Sequence, residues 1–420
     1  MTRVYLHTFG CKANQYDTET VRQALESAGA FVVPDPADAD AAVVNTCTVT
    51  HVSESKMRGL VRRLARRNGR VRTVVMGCAT ALDDGTIARL PNVSGVVAGA
   101  DPARVLEALG LPGDGVDPVL RRFGRGSRAW VKIQDGCDEH CTFCATTLAR
   151  GANRSRRPEQ IVEEATALAD AHEELVLTGV HIGTYGRDRP AGPTLGGLLE
   201  RLVNAVPRVR FRLSSVEATE LDDRLAELMI GAPERLAPHL HAPLQSGSDR
   251  VLKRMGRHWY TAASYRERIG WLAARRPVLG LGADVMVGFP GETDDDHAAT
   301  RSLVENLPFT YLHVFPYSQR PGAAARRLGT PVAPEVAAAR SAELRAVAAE
   351  KGAAYRARRD GRDADVVLLR RHRGWYEGLT EDYLTVYLPT ERAVPDRFRA
   401  TLRRADDGTL QADLAERRGE

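Results

Sequence analysis

Three cysteines lie within eight residues near the middle of the chain, in the pattern C-x3-C-x2-C. These central cysteines are Cys137, Cys141 and Cys144. Thiolates are the usual protein ligands of iron–sulfur clusters, and three of them can hold a cubane cluster whose fourth iron stays open for a small molecule. Zinc is the main alternative, but it usually needs a second, distant cysteine pair, which this chain lacks. The spacing favours an open cluster over zinc or inert thiols.

A second set of three cysteines is spread over the first 78 residues. These N-terminal cysteines are Cys11, Cys47 and Cys78, and each follows a predicted strand by one to three residues. In an open parallel sheet the carboxyl ends of the strands share one edge, so the three thiols can meet there. A lone cysteine is often a small buried apolar residue. One cysteine after each of three strands favours a second cluster site instead.

The elements that would position the N-terminal cysteines alternate between strands and helices. This alternation predicts an α/β domain over residues 1–111, with a parallel sheet covered by helices. The predicted strands are 4–8, 41–45, 72–76 and 93–98, and the predicted helices are 15–28 and 53–67.

A longer series of β/α units follows a Gly/Pro/Asp-rich linker at residues 112–126. Six repeats over residues 127–345 predict a partial (β/α)6 barrel. The predicted strands are 130–134, 174–178, 210–214, 239–242, 281–287 and 311–315, separated by helices that include 158–171, 262–275 and 293–306. Glycine and polar residues follow several of these strands, where the active sites of barrels lie. The four arginines after the central cysteines are expected either to bind carboxylate or phosphate groups or to be solvated at the surface; they are Arg150, Arg154, Arg156 and Arg157.

The end of the chain changes from helical to β character. A helix is predicted over residues 333–359, and short β runs at 366–369, 384–388 and 398–402 predict a small β-barrel within the domain 346–420. Basic and aromatic residues alternate at 370–376, which suits either RNA contact with base stacking or a stabilising hairpin.

The composition is that of a globular protein with a sizeable core. The chain has 420 residues, of which 43% are hydrophobic and 27% charged. No run approaches the roughly 18–20 apolar residues that cross a membrane, and the N-terminus lacks the apolar region of a signal peptide, so we expect a cytoplasmic protein without a membrane partner. Seven arginines between residues 58 and 72 suit either a phosphate backbone or a solvated helix face.

The loop from Cys137 to Cys144 resembles the signature of the radical S-adenosylmethionine (SAM) enzymes. The resemblance implies that the open iron binds SAM, which is cleaved reductively to a 5′-deoxyadenosyl radical. Phe143 adds a stacking surface in this loop. By position in the superfamily fold, the residues expected to bind SAM also include Gly179, His181, Glu217, Gln245 and Gly288.

The N-terminal part resembles that of the methylthiotransferases, a radical SAM subfamily. The matching residues are 8–17, 45–50 and 77–78. The resemblance implies a second [4Fe-4S] cluster on Cys11, Cys47 and Cys78, and a small C-terminal RNA-binding barrel called TRAM. Asn14, Gln15 and Asn45 are expected to orient that cluster or to cap helices. Residues 145–148 depart from the family pattern, which leaves the ligands intact but changes the loop beside them.

Residues 178–186, 149–151 and 154–156 are similar to the bacterial methylthiotransferases that act on threonylcarbamoyladenosine in tRNA. They imply insertion of a methylthio group at C2 of this base at position 37, in the anticodon loop, with SAM as cofactor and an external electron donor. The alternatives are a methylthiotransferase acting on isopentenyladenosine or on a ribosomal-protein aspartate. Alternatives from other classes are a non-catalytic iron–sulfur electron carrier that binds RNA and a zinc-stabilised RNA-binding protein.

Overall fold

The computed structural model describes residues 1–47, 51–320, 322–389 and 393–414. Residues 48–50 of the motif at 45–50 and the last six residues of the predicted C-terminal domain lie outside the described residues. The first part of the chain contains β1 (Arg3–Thr8), α1 (Lys12–Ser27), β2 (Phe31–Val33), β3 (Ala41–Thr46), α2 (His51–Arg67), β4 (Arg72–Gly77), β5 (Val93–Ala98) and α3 (Pro102–Leu109).

The middle and last parts of the chain follow in order. The middle part contains β6 (Arg128–Lys132), β7 (Gln134–Asp135), α4 (Thr146–Arg150), β8 (Arg154–Ser155), α5 (Pro158–Ala169), β9 (Glu174–Thr178), α6 (Leu195–Ala205), β10 (Arg210–Leu213), α7 (Asp223–Gly231), β11 (His239–His241), α8 (Asp249–Arg254), α9 (Ala262–Arg275), β12 (Gly280–Val287), α10 (Asp294–Asn306), β13 (Tyr311–Pro316) and α11 (Pro334–Arg359). The last part contains β14 (Asp363–His372), β15 (Trp375–Thr380), β16 (Thr385–Leu388), β17 (Arg397–Arg404) and β18 (Leu410–Leu414).

Five parallel strands form the N-terminal sheet in the order β2-β1-β3-β4-β5. Helices α1 and α3 pack on one face and α2 on the other, each through its apolar side. The predicted α/β architecture is confirmed. The sequence pattern does not reveal β2, because three residues are too few to show an alternation. Between β1 and β3 the strand order reverses, and ligands of such sheets bind at this switch point.

Six strands form the central barrel, as predicted. They are arranged as two parallel three-stranded sheets, β6-β9-β10 and β11-β12-β13. A bridge between Ser215 and His241 joins the two sheets beyond the end of β10. The predicted strand 130–134 divides in two, since β7 leaves the barrel and pairs antiparallel with β8. This short pair holds the loop of the central cysteines against the barrel.

The C-terminal barrel closes in the order β14-β15-β16-β18-β17. Its core is apolar and includes Val366, Val386 and Leu402. The prediction of a small β-barrel is confirmed, although the sequence pattern does not reveal β15 or β18. Helix α11 runs without interruption through the boundary predicted at residue 345. The division at that residue stays a prediction.

Two buried glutamates connect the parts of the molecule. Glu164 accepts hydrogen bonds from the Tyr16 hydroxyl of α1 at 2.9 Å and from the backbone N–H of Leu120 in the linker at 2.9 Å. Glu174 accepts from Arg210 and Arg212 at 2.8 and 2.9 Å. The same two arginines also donate hydrogen bonds to backbone oxygens of the C-terminal barrel. Among the described residues, no helix is both long and apolar enough to cross a bilayer.

Candidate active site between two sets of cysteines

The central cysteines lie on the loop between β7 and α4, and backbone hydrogen bonds fix its course. The N–H of Cys137 donates to the oxygen of Gly151 at 3.0 Å, and the N–H of Cys144 donates to the oxygen of Cys141 at 3.0 Å. The N–H of Thr142 donates to the oxygen of Met255 at 2.8 Å, which anchors the loop to the end of α8. The three thiols therefore have defined positions at the mouth of the barrel.

A cavity of about 180 Å³, the cluster cavity, opens beside the central cysteines. All three cysteines line it. Four of the six residues predicted to bind SAM line it too, and they are Phe143, His181, Glu217 and Gln245. Ser215, one of the polar residues after a predicted strand, lines it as well, and Arg257 and Trp259, which sequence reasoning missed, complete the wall on the side of the barrel.

Gly179 and Gly288 do not line the cluster cavity. A Cβ atom at Gly179 would lie 2.6 Å from the backbone oxygen of Gln134, so this glycine allows two backbones to approach closely. Gly288 has a φ of +74°, and a Cβ atom there would lie 2.8 Å from the Cβ of Ala337 in α11. Both glycines have packing roles, and their contact with SAM stays a prediction.

Gln245 has an unusual backbone conformation in the wall of the cluster cavity. Its φ is +61°, a left-handed conformation that costs a non-glycine residue about 1–2 kcal/mol. Backbone hydrogen bonds with Asp284 at 2.8 Å and Met286 at 2.9 Å hold it there. The side chain is 7% exposed, and its Oε1 has no hydrogen-bond partner among the described residues. Strain and an unpaired polar atom commonly occur together at ligand sites.

His181 connects the cysteine loop to an acidic residue behind it. Its Nδ1 lies 3.5 Å from the Sγ of Cys137, and its Nε2 lies 3.0 Å from Glu220. Burial lowers the pKa of His181, but the hydrogen bonds to Cys137 and Glu220 outweigh it and raise the pKa to about 10. The imidazole is thus a cation that can balance a thiolate.

Arg257 and Trp259 are the main site residues that the sequence does not indicate. Nη1 of Arg257 lies 3.4 Å from the Sγ of Cys141, and the same guanidinium pairs with Glu217. Trp259 donates its indole N–H to Glu217 at 3.2 Å. Arg257 is 116 residues away from Cys141 in sequence, and no spacing or motif connects the two.

The N-terminal cysteines meet at the switch point of the N-terminal sheet, as their positions after strands predict. Oδ1 of Asn14 lies 3.8 Å from the Sγ of both Cys11 and Cys78. The amide nitrogen of Asn14 donates to the backbone oxygens of Phe9 and Thr46 at 2.8 Å. Asn14 thus ties together the loops that carry Cys11 and Cys47, and its orientation of a cluster stays a prediction. Gln15 instead accepts a hydrogen bond from the indole of Trp130, at 2.6 Å.

Two glycines with left-handed backbones allow the three loops of the N-terminal cysteines to converge. Gly10 has a φ of +111°, and a Cβ atom there would lie 2.9 Å from the Cβ of Cys47. Gly77 has a φ of +102°, and a Cβ atom there would overlap the side chain of Asn45. A larger residue at either position would push the cysteine loops apart.

The sulfur atoms within each set lie farther apart than a single zinc ion requires. Zn–S bonds of about 2.3 Å place tetrahedral sulfurs about 3.8 Å apart. Within the described parts of the chain, neither set of cysteines has all three sulfur atoms within 4.8 Å of one another. A cubane holds each thiolate on a separate iron, which requires wider spacing. Burial raises the pKa of Cys78 to about 11 and of Cys141 to about 12, so metal binding would have to displace the thiol protons.

The two sets of cysteines face each other across the junction of the N-terminal sheet and the central barrel. Ala79 and Ala145, which directly follow Cys78 and Cys144, line one cavity of about 350 Å³. Arg320 lines it as well, and the charges of Cys47 and Cys144 both act on this arginine. Among the described residues, none of the six cysteines lines this cavity, which marks where the loops that follow Cys78 and Cys144 meet.

Arg150 and Arg156 bind carboxylates, but these belong to the protein itself and the ion pairs are partly or fully buried, so the two arginines are neither solvated at the surface nor free to bind a ligand. Arg150 binds Asp17 of α1 at 2.9 Å, and Arg156 binds Glu164 at 2.8 Å. Arg154 and Arg157 are exposed.

The amino-acid sequence is similar to two known protein families and to several named proteins. Residues 3–99 match the uncharacterized protein family UPF0004, and residues 131–304 match the radical SAM superfamily. The chain is 38% identical to the threonylcarbamoyladenosine tRNA methylthiotransferase MtaB of Bacillus subtilis, over 78% of this chain and 76% of that protein. It is 34% identical to the protein of the same name from Thermotoga maritima, over 93% and 91%.

The chain is also similar to proteins named for a second substrate and to solved radical SAM structures. It is 31% identical to the tRNA-2-methylthio-N(6)-dimethylallyladenosine synthase of Erythrobacter litoralis, over 97% of this chain and 96% of that protein. The radical SAM methyltransferase TsrM from Kitasatospora setae superimposes with a TM-score of 0.60 at 16% identity, covering 80% of each chain. This likeness supports the fold.

Proposed function

The chain belongs to the radical SAM methylthiotransferases, and on this premise we propose that it inserts a methylthio group at C2 of N6-threonylcarbamoyladenosine at position 37 of tRNA. The relatives named for threonylcarbamoyladenosine, at 38% and 34% identity, support this substrate. Isopentenyladenosine is the second candidate, because a dimethylallyladenosine synthase is 31% identical over nearly the whole chain.

In this proposal the central cysteines hold a [4Fe-4S] cluster that binds SAM in the cluster cavity. When bound, the cluster and SAM supply the radical that removes hydrogen from an unactivated carbon. Phe143 and Trp259 offer flat faces for the adenine of SAM. His181 and Arg257 place positive charge beside the thiolates. Gln245 offers its unpaired amide oxygen to a donor group of SAM. An external electron donor is part of the proposal, since no side chain supplies the electron for reductive cleavage.

The N-terminal cysteines hold the auxiliary [4Fe-4S] cluster, at which sulfur is inserted. The single observation that carries the proposal is the closeness of the two sites: Nε of Arg150, on the helix that follows Cys144, lies 3.2 Å from the Sγ of Cys78. A methylthiotransferase has to present one carbon to two cofactors, so the two sites have to lie close together. An electron carrier has no need of the cluster cavity, in which candidate SAM-binding side chains lie beside the central cysteines.

Two exposed surfaces suit the tRNA backbone. The solvent side of α2, the turn after it and the first residue of β4 carry six exposed arginines, and these are Arg62, Arg63, Arg66, Arg67, Arg70 and Arg72. At the tip of the β14–β15 hairpin, Trp375 is 37% exposed and stacks on His372 with ring centres 3.8 Å apart. Basic and aromatic groups of this kind contact phosphates and unstacked bases.

The test is nucleoside mass spectrometry on tRNA from a host that lacks its own tRNA methylthiotransferases and expresses this chain. We expect a methylthio increment on threonylcarbamoyladenosine and none with the Cys141→Ala variant. A methylthio increment on isopentenyladenosine alone would overturn the assignment of threonylcarbamoyladenosine as the substrate. No increment on tRNA, with active SAM cleavage, would point to a ribosomal protein as substrate.

A second variant separates the two sets of cysteines. The triple variant Cys11→Ala, Cys47→Ala, Cys78→Ala should still form 5′-deoxyadenosine from SAM when reduced, but it should not methylthiolate tRNA. Loss of SAM cleavage in the triple variant would contradict the division of roles.

A further inference from the structure

A second cavity, which we name the basic cavity, adjoins the cluster cavity inside the barrel. It measures about 160 Å³, and Ser215 lines both cavities. All three parts of the molecule contribute to its wall, with Lys12 of α1, strand residues of the central barrel and Tyr383 of the C-terminal barrel. Lys12 directly follows the cluster ligand Cys11. The cavity therefore lies where a substrate group next to the reacting carbon could enter.

The basic cavity has more positive than negative charge on one side. The side chain of Lys12 makes no hydrogen bond or ion pair within the described residues, and its charged neighbours include Arg128, Arg212 and, with opposite sign, Glu174. Arg128 and Arg212 share one counter-ion, Glu174, at 2.8 and 2.9 Å. Arg210 binds the same carboxylate. Nη2 of Arg128 is buried and has no hydrogen-bond partner among the described residues.

The other side of the basic cavity is polar, and most of its groups pair with one another. Asp284 lies 3.2 Å from both His241 and His313, so two imidazoles meet its carboxylate. His239 is 4% exposed, its Nε2 lies 2.8 Å from the hydroxyl of Tyr311, and its Nδ1 has no partner among the described residues. The groups of the cavity without a hydrogen-bond partner are thus the Lys12 ammonium, one guanidinium nitrogen of Arg128 and one imidazole nitrogen of His239.

We propose that Lys12 and Arg128 bind the carboxylate of the threonyl group on the substrate base, and that His239 bonds a neighbouring polar group of the same substituent. This inference rests on the proposed function, because threonylcarbamoyladenosine ends its N6 substituent in a carboxylate. C2 and C6, the carbon that carries N6, lie on either side of N1 in the same ring of adenine, so a base with C2 in the cluster cavity can extend its N6 substituent past Ser215.

The same residues would select against isopentenyladenosine. An isopentenyl group has no polar atom and would leave a cation and two nitrogens desolvated and unpaired. A site built to hydrogen-bond a substrate group can reject an analogue that lacks it by a factor on the order of 10⁴–10⁵. We therefore assign the choice between the two tRNA bases to Lys12 and Arg128.

The test measures binding of anticodon stem–loops to the full chain reconstituted with both clusters. Four RNAs are compared, bearing threonylcarbamoyladenosine, its methyl ester, isopentenyladenosine or unmodified adenosine. The wild type should bind the acid roughly 10- to 100-fold more tightly than the ester, since hydrogen bonds to charged groups are the strong ones. Lys12→Met should lose most of the preference for the acid over the ester, and the conservative variant Lys12→Arg should keep it. Lys253→Met, at an exposed lysine of α8, is the matched control and should keep it.

The outcomes separate this inference from the proposed function. If Lys12→Met weakens the binding of all four RNAs equally, Lys12 binds a backbone phosphate and the inference is wrong. If the wild type binds acid and ester equally, no carboxylate site exists. Iron content measured in each variant tells a lost cluster from a lost contact. Methylthiolation of isopentenyladenosine alone by the wild type would overturn the proposed function, whatever Lys12 does.

Discussion

Nε of Arg150, in the central barrel, lies 3.2 Å from the Sγ of Cys78, at the edge of the N-terminal sheet. The same guanidinium donates to Oδ1 of Asn14 at 2.6 Å and pairs with Asp17 at 2.9 Å and with Asp135 at 3.2 Å. Helix α4, which carries Arg150, begins two residues after Cys144. One side chain thus couples the position of the auxiliary site to the loop of the central cysteines.

Replacement of Arg150 by alanine should cost the protein its auxiliary cluster. The change removes the cation beside Cys78 and leaves two carboxylates, Asp17 and Asp135, near the thiolates. We expect iron content to fall from about eight to about four atoms per chain, while SAM cleavage persists. Arg154→Ala is the control, because Arg154 is exposed and donates only to backbone oxygens. Full iron content in Arg150→Ala would show that the contact is not needed.

Substitution of Gln245 by glycine should raise stability and weaken SAM binding. Glycine adopts the φ of +61° without strain, so the free energy of unfolding should rise by about 1 kcal/mol. Loss of the amide should raise the Kd for SAM by roughly 5- to 10-fold. Ala191→Gly is the matched control, because Ala191 has a φ of +56° at an exposed position outside the cavity. Calorimetric titration with SAM should show unchanged affinity in that control.

Glu174→Ala should destabilise the junction of the two barrels. Glu174 is fully buried and is the shared counter-ion of Arg128, Arg210 and Arg212. Removing one partner of a buried ion pair costs about 3–5 kcal/mol, because the remaining charge stays buried without compensation. Urea unfolding measures the loss. Glu159→Ala, at a site 71% exposed, should change the unfolding free energy by less than about 0.5 kcal/mol. An equal effect of both changes would refute the structural role of Glu174.

Acid should weaken the attachment of the C-terminal barrel through Asp365. Burial raises the pKa of Asp365, but the hydrogen bond from Arg397 and the charge of Arg210 outweigh it, so the pKa lies below its ordinary value of 3.8. A carboxylate with a lowered folded-state pKa stabilises the protein above the unfolded pKa, and this contribution is lost as the pH falls below it.

The pH dependence of unfolding tests this relationship. Between pH 5 and about pH 3, the stability of the wild type should fall more steeply than that of Asp365→Asn, in which the titrating group is absent. Asp406→Asn is the control, because Asp406 is exposed and should leave the steep wild-type dependence intact. Parallel curves for wild type and Asp365→Asn would mean that this carboxylate does not contribute.

Local sequence patterns predicted most of the fold. Alternating strands and helices predicted the N-terminal sheet and the six strands of the central barrel, because apolar periodicity depends only on neighbours in sequence. The elements that were missed include β2, α3, α4, β8, β15 and β18. The short β2 shows too little periodicity to recognise, and β15 and β18 are stabilised by pairing within a closed barrel rather than by a pattern of their own.

The sequence by itself determined the six cysteines, their division into two sets and the chemistry that such spacing supports. Only the tertiary structure decided which charges surround them. Arg150 meets Asn14 across 136 residues, and Arg257 meets Cys141 across 116. The φ of Gln245 and the place of Lys12 in the basic cavity are likewise set by packing. Ligand spacing is a local property of the chain, whereas charge compensation and strain depend on contacts between distant residues, which exist only once the chain has folded.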